Sequence, residues 1–145
     1  MSKSMRYFLL SACYWVIVDF TTAFCPDVQR WVAHMPLVWL FYLGFPALFS
    51  LLIYRLDWRK ERLFIAMLVE LVLVELIFSH NVLLVTFPIL LVMIPLALAI
   101  YSFITYVPLW IVEGEVKQHR NWIVFLAAVW LVVAVLNTLT TIRSM

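Results

Sequence analysis

Residues 82–107 read VLLVTFPILLVMIPLALAIYSFITYV, 26 positions without a charged side chain. One helical crossing of a bilayer takes about 20 apolar residues to span a hydrocarbon core of about 30 Å. Run straight at about 1.5 Å per residue, this stretch would reach about 39 Å, so a helix over 82–107 has to tilt or bend. Pro88 and Pro95 supply a cause for bending. They stand seven positions apart, on nearly one face of a helix, and each removes a backbone hydrogen bond.

Working outward, Ser79-His80-Asn81 separates this run from an earlier one over 63–79. The charge run Arg55-Leu56-Asp57-Trp58-Arg59-Lys60-Glu61-Arg62 precedes that, and apolar runs at about 37–54 and 7–24 lie upstream. Downstream, 108–121 carries Glu113, Gly114, Glu115, Lys117, His119 and Arg120 and reads as a loop before a last run at about 122–142. The N-terminal run follows Lys3 and Arg6 as in a signal peptide. However, Thr22-Ala23-Phe24-Cys25 puts a bulky Phe where a cleavage site needs a small residue, so a retained span is expected. The expected architecture is all-α: a polytopic transmembrane helical bundle of five spans, forming a single domain over 1–145.

Bulk composition agrees. Of 145 residues 67% are hydrophobic and 12% charged, against about 45–50% and about 25% in soluble domains. These counts exclude a soluble enzyme and a disordered tail. Two glycines exclude a collagen-like fibre, and two cysteines exclude a disulfide-stapled module. A net charge of +2 is too balanced to imply nucleic acid.

Lys and Arg are retained on the cytoplasmic side of a membrane. Five spans place Lys3, Arg6, Arg55, Arg59, Lys60, Arg62, Lys117 and Arg120 on one side, and Arg30 and Arg143 on the other, eight against two. The N-terminus is therefore expected inside and the C-terminus outside, in a cytoplasmic membrane of prokaryotic type. A four-span alternative folds 82–112 into a re-entrant hairpin. It weakens the bias to seven against three and needs protein around the hairpin's turn. Arg55, Arg59, Lys60 and Arg62 are read as the inner-face contacts that set topology and meet anionic headgroups.

Four polar side chains stand out inside the spans: Asp19, Glu70, Glu75 and Asn137. A carboxylate at the bilayer centre costs about 2.5–3.5 kcal/mol on insertion scales, so each acid needs a partner or a proton. At about 100° per residue, Glu70 and Glu75 point about 140° apart, which disfavours a paired-carboxylate site on one helix face. No Lys or Arg lies inside a span, so a protonated Glu donating to a carbonyl or to Asn137 is the expected state. Asp19, Glu75, His34 and His80 all fall towards the outer side. They form a weak candidate for a metal cluster, since no H-x-x-x-H or E-x-x-H spacing supports one.

No phosphate-binding glycine loop occurs and no C-x-x-C, so neither a nucleotide nor a cofactor is expected, and no catalytic set emerges. The expected surroundings are the lipid bilayer together with other membrane proteins or a second copy. Small size and the lack of a catalytic set favour a non-catalytic subunit or accessory protein of a membrane complex. A proton- or cation-linked carrier or channel component using the embedded carboxylates is the alternative. An intramembrane enzyme acting on a lipid or isoprenoid is a further one, with the same acids as proton donors.

Overall fold

The computed structural model describes residues 1–144, which form helices joined by turns and short irregular stretches. Ser2 opens the first helix, its hydroxyl accepting from the Met5 N–H at 3.3 Å and satisfying an amide that a helix start leaves unpaired. Helix α1 runs Lys3–Asp19 and continues through a wider π-helical turn, Phe20–Phe24. Two threonines mark the change: Thr21 Oγ1 donates to Ile17 O and Thr22 Oγ1 to Val18 O, both at 2.8 Å. Such back-bonding to the preceding turn bends helices.

Pro26 comes next, and Asp27 caps α2, Val28–Tyr54, by accepting from the Arg30 N–H at 2.8 Å. Pro36 and Pro46 both lie inside α2, which therefore starts well before the expected boundary near Leu37. Helix α3, Lys60–Leu71, passes into a second π-helical stretch, Val72–Phe78. His80 then takes a left-handed φ of 47°, a conformation His tolerates better than most side chains.

The stretch 82–107 is not one bent helix. Val82–Leu84 forms a short 3-10 turn, and α4 occupies Leu90–Glu113. Pro88 lies in the turn ahead of α4 and bends no helix, while Pro95 sits within its first turns. The expected loop from 108 begins only after Glu113, with Pro108 inside α4 and buried. Pro108 has no N–H for the carbonyl one turn back, and its ring crowds that turn. The carbonyl next to the one so deprived, Thr105 O, accepts from the Tyr7 hydroxyl at 3.2 Å. Gly114, at φ 76°, closes α4. Its N–H reaches Ile111 O at 3.3 Å while the Glu115 N–H reaches Trp110 O at 2.8 Å, the paired bonds of a left-handed helix cap. Helix α5 is Arg120–Ser144.

Helix α1 packs against α2 and α4, α3 lies against α4 and α2, and α5 covers α4 and the π-helical end of α1. Close approach of α1 and α2 is permitted by two small residues, Ser4 and Ser50, whose hydroxyls are 2.8 Å apart. Lys3 meets Glu113 at 2.7 Å and Lys60 meets Glu115 at 3.1 Å, gathering the charged segments at one end of the bundle.

Four helices are long and apolar enough to cross a membrane: Lys3–Phe24, Val28–Tyr54, Leu90–Glu113 and Arg120–Arg143. Large apolar side chains such as Leu37, Leu91 and Leu131 stand exposed along them. A continuous apolar exterior is costly in water and favourable in lipid. Helix α3 falls outside this set, carrying Lys60, Glu61, Arg62, Glu70 and Glu75.

Candidate functional site

At the end of the bundle away from the ion pairs lies a cavity of about 580 Å³. Its volume falls in the usual range of small-ligand sites, about 300–1,000 Å³. Apolar side chains from α4 such as Leu96, Ala97 and Ile100 form much of its wall. Polar groups enter from Asp19 and Thr22 of α1, Glu75 of α3, Tyr101 of α4, and the turn Ser79-His80-Asn81.

Each carboxylate is held by a tyrosine. The Tyr42 hydroxyl donates to Asp19 Oδ2 and accepts in turn from Trp31 Nε1 at 3.2 Å. The Tyr101 hydroxyl donates to Glu75 Oε1 at 3.2 Å, and Asn81 Nδ2 donates to Glu75 Oε2 at 3.0 Å. Among the described residues, no lysine or arginine side chain lines the cavity. The two acids thus keep their orientation through neutral donors, and the basic group among the described lining residues is the His80 imidazole.

Glu70 lies apart from this pair. It is 2% exposed, and neither carboxyl oxygen has a hydrogen-bond partner among the described residues. Trp15 and Tyr7 of α1 and Tyr101 of α4 surround it, the Trp15 indole facing it outside hydrogen-bond geometry. Asp19, Glu70 and Glu75 all come within electrostatic reach of the Tyr101 phenol. Of the two α3 acids, Glu75 bonds the Tyr101 hydroxyl and lines the cavity, whereas Glu70 does neither. Physically, the π-helical stretch after Leu71 turns each residue through a smaller angle than an α-helix does, drawing Glu75 back towards the side of Glu70.

Asn137 does not join the acids. Its Nδ2 lies 3.4 Å from both Thr21 O and Cys25 O, and Trp130 Nε1 donates to Thr21 Oγ1 at 2.9 Å. Both α5 side chains thus clasp the irregular end of α1, where the widened turn leaves backbone groups to be satisfied. Among the described residues, neither Glu70 nor Glu75 is hydrogen-bonded to Asn137.

His80 reaches the cavity rim, exposed, whereas His34 packs its ring on Phe24 with centroids 5.2 Å apart and lies within electrostatic reach of Asp19. Among the described residues, no three His, Cys, Asp or Glu side chains are placed to hold a metal ion. Arg55, Arg59 and Arg62 are exposed at the charged end, far from the cavity, while Lys60 is engaged with Glu115. Pro88 and Pro95 are exposed and do not line the cavity.

Sequence reasoning misses the tyrosines. Tyr7, Tyr42 and Tyr101 are buried phenols in otherwise apolar runs, and a buried tyrosine hydroxyl requires a partner. Pairing Tyr42 and Tyr101 with an embedded acid is the signal that could have found those two, whereas Tyr7 bonds the Thr105 carbonyl. Comparison of the chain with protein-family models, with curated proteins and with solved structures returns no match.

Proposed function

We propose that the chain is an integral membrane protein whose five helices all cross the bilayer, with the charged end cytoplasmic, and that it works as a proton- or cation-linked carrier or channel component binding its cation in the cavity. The observation that carries this reading is the placement of Asp19 and Glu75 in one cavity with no lysine or arginine among its described lining residues. Low-dielectric walls bearing charge of one sign focus the field and concentrate counter-ions. Tyr42 and Tyr101 keep the carboxylates oriented without neutralising them. The fifth crossing is supported by α3 turning its acids towards the other helices, and the direction by the excess of basic residues at the charged end.

Flux of a monovalent cation into proteoliposomes tests the proposal. Asp19→Asn and Glu75→Gln should each reduce flux strongly, and undiminished flux in both variants overturns it.

A second reading, an accessory subunit of a larger membrane complex, is favoured by α5. Only 11% of its most apolar window is buried, against 28% in each of the other three candidate spans. Leu131, Val132 and Leu136 face outward and are available to a partner helix as well as to lipid. Copurification of a defined partner, lost when Leu131 and Leu136 are replaced by Ala, would support it. Full cation flux from the purified chain alone would sink it.

A further inference from the structure

We propose that Glu70 is the internal proton-carrying group of this protein and that a cation entering the cavity displaces its proton; the inference rests on the cavity reading above and names the ion to which cation binding is coupled. Glu70 is enclosed at 2% exposure, with both carboxyl oxygens unpartnered. A carboxylate stripped of water, hydrogen bonds and counter-charge is among the costliest groups a protein can hold, and the group neutralises by taking a proton. The titratable groups facing it are Tyr7 from α1 and Tyr101 from α4. Neither α2 nor its own helix α3 brings a charged side chain to act on it.

The cavity is where the missing counter-charge would arrive. Tyr101 lines the cavity, bonds Glu75 there, and lies within electrostatic reach of Glu70 as well. An empty cavity leaves Glu70 as the neutral acid. A bound cation adds positive charge beside the shared phenol and lowers the cost of the ionised form. The O–H bond of the Glu70 acid then breaks, its electron pair stays on the carboxylate, and the proton leaves to water. One positive charge enters as one departs, so the exchange is electroneutral. Departure of the cation reverses each step.

The test uses the full chain in lipid nanodiscs with tetraphenylphosphonium as the probe cation. Calorimetric titration in two buffers of different ionisation enthalpy reads the protons released per cation bound. The wild type should release protons on binding and bind more tightly as pH rises, while Glu70→Gln should bind more weakly, with an affinity independent of pH, and release none. Equal release by both overturns the proposal and leaves the cavity reading standing. Absence of binding by the wild type overturns the cavity reading and the coupling with it. Infrared spectroscopy supplies a readout that needs no cation: the carbonyl stretch of a protonated acid, present in the empty wild type and lost in Glu70→Gln. Its absence from the wild type overturns the proposal outright. Should the buried amide of Glu70→Gln prevent folding, Glu70→Met keeps the volume without a polar group and serves in both measurements.

Discussion

The Tyr101 hydroxyl donates to Glu75 Oε1 at 3.2 Å from a ring set edge-on against Trp15, with centroids 5.6 Å apart. Helix α1 thereby fixes the α4 phenol that orients the α3 carboxylate, and three helices meet at one polar contact inside an apolar bundle. Asn81 takes the other oxygen of Glu75 from the turn leading to α4. Glu75 is gripped from both sides, whereas Asp19 depends on Tyr42.

Tyr101→Phe deletes the hydroxyl and keeps the ring against Trp15. Polar contacts between membrane helices average about 0.6 kcal/mol and reach about 1.7 kcal/mol, so the loss of stability should fall in that interval. Unfolding in mixed micelles by increasing dodecyl sulfate measures it. Cation flux should fall as well, because Glu75 is then held by Asn81 alone. A stability loss with unchanged flux would show that this hydrogen bond serves packing only.

Tyr42→Phe should cost more. It removes a contact of the same kind, about 0.6–1.7 kcal/mol, between the Tyr42 hydroxyl and Asp19. Tyr42 also accepts from Trp31, so its removal frees an indole N–H as well. A double-mutant cycle with Asp19→Asn isolates the pair. A coupling energy near zero would mean that the Asp19–Tyr42 contact contributes nothing to stability.

Much of this arrangement is legible in the chain, and the reasons for the remainder are local. Charge-free runs such as 37–54 and 122–142 are long enough that helix is the only structure able to satisfy their backbone in lipid. Asp19 and Glu75 announce themselves by their cost. Helix boundaries are different, since apolar composition does not distinguish a helix from an apolar turn. Residues 82–89 are as hydrophobic as the start of α4, yet they form the turn bordering the cavity, while Pro108 is accepted within α4 where Tyr7 donates to the adjacent carbonyl. A uniform α-helical rotation misplaces Glu75 relative to Glu70 because the helix widens after Leu71. Such widening depends on packing against neighbouring helices, which no spacing along α3 records.

Helix α5 is fastened to the end of α1 by Trp130 and Asn137. Trp130→Phe and Asn137→Leu should each destabilise by about 0.6 kcal/mol, the bonds of Asn137 being long at 3.4 Å. Because both act on residues 21–25, their effects should not add: once one is removed, the end of α1 frays and the other loses its anchor. The double variant measured in the same micelle titration decides this. Strict additivity would show that the two contacts act independently.

Membrane direction is open to a labelling measurement that also separates five crossings from four. Cys13 and Cys25 are free and can be replaced by Ala to give a background without thiols. A single cysteine is then introduced by Ser79→Cys, in the turn beside the cavity, or by Lys117→Cys, between α4 and α5. Intact cells are treated with a membrane-impermeant maleimide. Five crossings with the basic segments inside expose position 79 and protect position 117 until the membrane is opened. A re-entrant hairpin over 82–112 would leave both accessible from outside. The ion pair of Lys60 with Glu115 at 3.1 Å favours the first outcome, because it sets the α4–α5 loop beside the start of α3 at the basic end. Reaction of Lys117→Cys in intact cells would contradict the five-crossing arrangement and move the cation-binding proposal onto a different topology.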